Sequence, residues 1–210
     1  MRGMRMMQGS VVGLVVGLAM LTSAASASAT PAYLPAGTAF AATSTGEHVF
    51  GISSNIKWRC NHVTWTGTTA DPAGDTASIA GAYGSATGAP GSWCRFYMGG
   101  TFVNSTVTTS GWSTSVSSFN ALTGVSNGAI TMGGGMTVQT GACTVTIASG
   151  TVVPLQGQNI GSPAGMTVTV NATGIHYTST SPACSLLGVP ASGTTMFYSG
   201  TSDVPGVYVG

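Results

Sequence analysis

Apolar and polar residues alternate with a period of two along most of the chain. In MTVTVNA, Met166, Val168, Val170 and Ala172 fall on one side and Thr167, Thr169 and Asn171 on the other. That alternation predicts a half-buried antiparallel strand, with one face on a core and one in water. CTVTIA repeats the pattern, with Cys143, Val145 and Ile147 on the inner side. Similar short runs predict strands at His48–Ile52, Ile56–Arg59, Val63–Trp65, Ser78–Ala82, Trp93–Met98, Thr101–Thr108, Trp112–Ser118, Ala129–Met132, Thr151–Leu155, Gly174–Thr178, Thr194–Ser199 and Val207–Val209. Gly, Pro, Asn and Ser separate them, as turn residues do. Thirty-two glycines and many β-branched residues oppose long helices. The expected fold is all-β, an antiparallel β-sandwich or barrel. No fixed short period supports a solenoid.

At the N-terminus, Arg2 and Arg5 precede an apolar run from Val11 to Leu21 and small residues ending in Ala27-Ser28-Ala29. This is the pattern of a signal peptide over residues 1–29. It leaves one secreted domain over 30–210, whose halves resemble each other around their cysteines. The apolar run is shorter than the roughly 20 residues that span a bilayer, and no later segment is longer, so the mature chain is expected to carry no transmembrane anchor. About 180 residues suffice to bury a core. Four cysteines in an exported chain imply disulfides, with three pairings open. Cys60–Cys94 and Cys143–Cys184 are favoured, because each closes a moderate loop within its own half. Each would stabilise by roughly 4 kcal/mol on a chain-entropy model.

The stretch KWRCNHVTWTG, Lys57 to Gly67, concentrates a cysteine, a histidine and two tryptophans. Ile56, Trp58 and Cys60 share one face with Asn55, Lys57 and Arg59 opposite, yet Val63 and Trp65 are out of phase with them. A slip of one residue at Asn61-His62 restores both faces, which predicts a bulge or tight turn there. A metal or nucleophile role for Cys60 with His62 needs a thiolate, which a disulfide removes. His48 and His176 have no spacing that links them to His62. No metal and no cofactor are expected.

Without Arg2 and Arg5, three cations (Lys57, Arg59, Arg95) face four carboxylates (Glu47, Asp71, Asp75, Asp203), so the net charge moves from +1 to −1. No basic patch is expected, which argues against nucleic acid as a partner. The polar positions are mostly Thr, Ser, Asn and Gly, a surface suited to work among sugars, polymers or other proteins. Gly124-Val125-Ser126-Asn127-Gly128 matches the G-x-S-x-G elbow, but a strand-turn-strand pattern follows it, and His176 precedes Asp203. It reads as a Gly-Asn turn. Asp71 and Asp75 in DPAGD supply too few ligands for calcium and read as turn residues. Gly133-Gly134-Gly135 lacks the lysine of a phosphate loop and reads as a hairpin turn. Asn104-Ser105-Thr106 and Asn171-Ala172-Thr173 match the glycosylation sequon. No catalytic residue is assigned. Aromatic faces remain for stacking on sugar rings, and Trp58, Trp65, Trp112 and Tyr177 are the candidates for ligand binding.

The segments RCNHVTWTG, GACTVTIASGT and MTVTVNATGIHYTSTSPACSLLGVPASGTTMFYSGT resemble small secreted, β-rich proteins of actinobacteria to which no function has been assigned. In these a Cys-led strand recurs, followed by a Gly-Cys-rich loop and a Tyr-Ser-Gly strand; here Ala183 precedes the last cysteine where they have glycine. The resemblance implies an exported, disulfide-bonded β-protein and no activity. The expected role is a non-enzymatic structural or surface-interaction protein, secreted or at the cell surface. Its partner would be a cell-wall polysaccharide, another protein, or a second copy joined along an exposed strand edge. The alternative is a carbohydrate- or small-ligand-binding domain.

Overall fold

The computed structural model describes residues 30–161 and 165–210, so the expected signal peptide at residues 1–29 lies outside it. A short β1 (Tyr33–Leu34) is followed by β2 (Ala39–Ser44) and β3 (His48–Gly51). Next come β4 (Ile56–Cys60), β5 (Thr64–Thr69), β6 (Thr76–Ala82) and β7 (Cys94–Met98). The middle of the chain forms β8 (Thr101–Thr109), β9 (Trp112–Asn120), β10 (Val125–Met132) and β11 (Met136–Thr140). Then come β12 (Cys143–Ile147), β13 (Thr151–Asn159) and two long strands, β14 (Gly165–Ser179) and β15 (Ser192–Pro205). A short α1 (Pro182–Leu186) joins the long pair, and β16 (Tyr208–Val209) ends the chain.

The first twelve of the barrel strands are six staves, each broken near mid-height. The register demonstrates it: β10 meets β13 with Met132 opposite Thr151, and β11 meets β12 with Met136 opposite Ile147, so both pairings lie on one continuous alignment. The same holds for β2–β3 against β4–β5, where Thr43 faces Thr64 and His48 faces Cys60. With β14 and β15 there are eight staves, each antiparallel to the next, and β15 returns to β2 and β3 to close the ring. The fold is an antiparallel up-and-down barrel. Closure gives every stave a neighbour on both flanks, so among the described residues the barrel wall has no strand left open along its whole length as the expected route to self-association would require.

The breaks divide the barrel into two tiers. The clip tier holds β2, β5, β6, β9, β10 and β13, and its end is covered by the β1–β16 pair, in which Tyr33 lies opposite Val209. The disulfide tier holds β3, β4, β7, β8, β11 and β12. Both bridges lie there: Cys60–Cys94 joins opposed residues of β4 and β7, and Cys143–Cys184 ties β12 to α1. The expected pairing is the one present.

Period-two alternation carries through to the core. In β12, Cys143, Val145 and Ile147 are buried and the threonines between them are not. Eight staves enclose a space just wide enough for side chains to fill, and here aromatics fill much of it: Phe50, Trp58, Tyr83, Phe96 and Tyr198 are all almost fully buried. Phe50 stacks on Tyr198 with ring centroids 4.5 Å apart. One inward position had to stay empty of side chain. A Cβ at Gly200 would lie 2.4 Å from the His48 ring, so the glycine makes room for that imidazole.

Two turn expectations are corrected. Ser126, Asn127 and Gly128 lie inside β10, and the actual turn precedes them, where Asn120 Oδ1 accepts from the backbone of Leu122 and Gly124 takes φ 70°. Gly128 marks a register shift against β9 at which a Cβ would sit 1.9 Å from the Ser115 carbonyl. Gly133 to Gly135 are a break within one stave rather than a hairpin turn; Gly135 approaches the Ile147 carbonyl too closely for a side chain, and its own carbonyl accepts from Trp112 Nε1 at 2.7 Å. The predicted slip at Asn61-His62 is present as the break between β4 and β5, with His62 at φ 48°.

Candidate functional site

The four aromatics expected to bind ligand are interior. Trp58, Trp65, Trp112 and Tyr177 are 0%, 6%, 2% and 3% exposed. Each of two indole N–H groups has its own internal acceptor: Trp58 donates to Thr140 Oγ1 at 2.8 Å and Trp112 to the Gly135 carbonyl. Trp65 packs against Trp112 and Tyr83. A tryptophan whose polar edge is satisfied inside gains nothing by turning outward, so neither Trp58 nor Trp112 offers a face to a sugar; the Tyr177 hydroxyl is buried without a partner, and its residue lines an outer cleft with Thr146, His176 and Ser192.

The clip tier holds an apolar cavity of about 60 Å³ beside Trp65, Ile79, Ile130, Leu155, Met166 and Val204. An apolar cavity of about 150 Å³ accepts benzene, and ordinary ligand pockets are about 300–1,000 Å³. The void is therefore too small for a ring-sized ligand. At its edge His48 Nδ1 lies 2.8 Å from Tyr198 Oη and Nε2 lies 3.2 Å from Ser202 Oγ, while Tyr83 and Tyr198 hydroxyls are 3.1 Å apart. Burial lowers the His48 pKa to about 4 and pushes both phenols well above their ordinary value. A neutral imidazole satisfies both neighbours by donating through one nitrogen and accepting through the other. This is a closed structural network.

Ser126 is buried in β10, where a side chain at Gly157 would collide with its hydroxyl, while His176 is exposed on the outer side of β14. Asp71 and Asp75 are exposed in the turn between β5 and β6. Among the described residues no three His, Cys, Asp or Glu side chains come together.

On the outer wall of the disulfide tier the picture differs. Lys57 and Arg59 on β4, Arg95 and Tyr97 on β7, and Phe102 and Asn104 on β8 all point outward in adjacent rows. Arg59 lies opposite Arg95 and Arg95 opposite Asn104; Lys57 lies opposite Tyr97 and Tyr97 opposite Phe102. All three cations of the described residues thus sit on one face, which corrects the expectation of no basic patch. The Arg95 guanidinium is held between two rings, with its carbon 4.5 Å from the centroids of both Trp93 and Phe102. Arg59 lies 5.3 Å over Tyr97 and pairs with Glu47. The remaining carboxylates, Asp71, Asp75 and Asp203, are in the clip tier, so charge is polarised along the barrel.

Beside this face the chain between β6 and β7 stands away from the wall and leaves an open cleft of about 440 Å³, lined by Ser85, Ser92, Trp93, Asn104, Thr106 and Gln139. Its position is fixed from two sides. Cys94, between Trp93 and Arg95, is bonded to Cys60. Asn61 accepts from the Trp93 backbone N–H at 2.6 Å through Oδ1 and donates to the Gly91 carbonyl through Nδ2. The stretch KWRCNHVTWTG therefore acts as a staple, and what it staples is this face. Lys57, Arg59, Trp93 and Arg95 are far apart in the chain, and the signal that unites most of this face is period two, which places Lys57, Arg59, Arg95 and Tyr97 all outward. No protein-family model, curated protein or solved structure matches the chain.

Proposed function

We propose that this protein works outside the cell as a non-enzymatic surface-interaction module that binds through the outer face of its disulfide tier. The observation that carries the reading is the gathering of Lys57, Arg59 and Arg95 with Trp93, Tyr97 and Phe102 beside the 440 Å³ cleft. Aromatic rings and arginine are the side chains that most often dominate binding surfaces. Two disulfides suit an oxidising compartment. The rest of the wall is rich in Thr, Ser, Asn and Gln and low in charge, which leaves this face chemically distinct.

Co-sedimentation of the oxidised chain from Thr30 with bacterial cell walls and insoluble polysaccharides tests the reading. Retention is expected, and a Trp93→Ala, Phe102→Ala double variant should lose it by about tenfold or more, the effect of removing one binding hot spot. Retention that is the same in both proteins, or absent on every surface, overturns the proposal.

A further inference from the structure

We infer that the partner of this face is a polysaccharide built from carboxylated sugar rings, with a ring seated in the cleft against Trp93 and its carboxylate on the Arg95 guanidinium. The inference rests on the surface-interaction reading and names its ligand.

Arg95 is the reason for an anion. It stands directly opposite another arginine across a strand pair, an arrangement that repels. Arg59 has Glu47 to offset it, but Arg95 has no carboxylate partner among the described residues. Its Nε is buried and donates to nothing. An atom closed to water is closed to a carboxylate oxygen as well, so a ligand would meet this half-buried guanidinium through its terminal nitrogens. The two rings that sandwich the guanidinium hold its plane, which prepares the fork for two parallel bonds to a carboxylate. Lys57 and Arg59 extend the positive field along the same face, and the carboxylates of the clip tier are far along the barrel from it.

The cleft is the reason for a sugar. Next to Trp93 it presents hydroxyls from Ser85, Ser92 and Thr106 and amides from Asn104 and Gln139. Hydroxyls and amides both donate and accept, as a ring carrying several hydroxyls requires. An apolar partner would leave these groups unsatisfied. A phosphodiester polymer without sugar rings would use the cations and leave the aromatic wall idle. Nucleic acid would need a longer basic track than three side chains on adjacent rows supply. A repeat that carries ring and carboxylate together uses every group on the face.

Affinity measurements on the oxidised chain from Thr30, using polygalacturonate, alginate and hyaluronate as probes, test the inference. Binding to at least one is expected, falling on the order of tenfold between about 50 and 200 mM salt because a few charges are neutralised. Methyl-esterified pectin keeps the ring and removes the charge, so it should bind about tenfold more weakly than polygalacturonate if that is the ligand bound. Arg95→Lys should weaken binding while leaving the melting temperature near that of the parent, because charge remains and the planar fork is lost. Equal binding of esterified and free polymer, binding only to poly(glycerol phosphate) or to single-stranded DNA, or no binding to any uronate polymer overturns the inference. If uronates fail while retention on cell walls still depends on Trp93 and Phe102, the surface-interaction reading stands and only the ligand is wrong. If that retention is also absent, both fall.

Discussion

His48 shows how one side chain can make the stability of a barrel depend on pH. Its ring is 1% exposed and hydrogen-bonded on both nitrogens, and burial lowers its pKa from 6.5 to about 4. Between those values the unfolded chain binds a proton that the folded chain refuses. Stability therefore falls as pH drops from about 6.5 towards 4, by up to roughly 3 kcal/mol from this residue, and is unaffected by it above that window. Urea midpoints of the parent should decline between pH 7 and pH 4.5, and His48→Gln should flatten the decline. A parent midpoint that does not move over that range would refute the assignment. Nothing around His48 in the sequence announces this role. Its partners Tyr198 and Ser202 lie about 150 residues away, and only closure of the last stave on the first brings them together. Gly200, which gives the ring its space, is equally unreadable from its neighbours in the chain.

At the scale of elements, alternation was legible wherever one face was strongly apolar. β12 followed from period two directly, whereas the runs predicted at 166–172 and 174–178 are one strand, β14, joined across register shifts between Ala172 and Tyr177. β2 escaped it, because Ala39, Phe40, Ala41 and Ala42 offer little contrast between faces. Ser126 misled for a related reason: Gly124 and Gly128 look like turn residues, yet the second is a bulge inside β10. The segment from Lys57 to Gly67 is legible down to the slip at His62, because the phase change between Cys60 and Val63 is written in the residues themselves. Its consequence lies in the bridge to Cys94. Replacing both Cys60 and Cys94 by serine should cost about 2–5 kcal/mol in urea denaturation. It should also weaken binding at the outer face beyond the loss of stability, since the bridge fixes Trp93 and Arg95 on either side of Cys94. Unchanged binding in a variant that remains folded would separate the site from the staple.

At the scale of the whole molecule, the ring is capped by contacts between the first and last described strands. The β1–β16 pair buries Tyr33, Val207 and Val209, Tyr33 reaches Thr114 at 2.7 Å, and Asn159 holds Val209 through both its donor and its acceptor. A chain ending at Pro205 loses two buried valines and the cover of the cavity. About 3 kcal/mol or more of stability should go with them, on the scale of fully burying such side chains, and the opened clip tier should bind a fluorescent apolar dye that the parent excludes. A truncated chain as stable as the parent would show that the clip contributes nothing to the barrel.

Much of this architecture is determined by local chemistry: strands from alternation, the absence of long helices among the described residues from glycine and β-branched residues, the phase slip at Asn61-His62, and disulfides from an even cysteine count. These depend on neighbours a few positions apart, which a sequence displays. The barrel rather than a sandwich, the burial of four candidate aromatics, the Tyr83–Tyr198–His48–Ser202 network and the assembly of Lys57, Arg59 and Arg95 with Trp93 and Phe102 were decided by the tertiary structure alone. Each depends on which strand lies beside which and in what register, and that is set by closing the ring, a constraint no local pattern of residues contains.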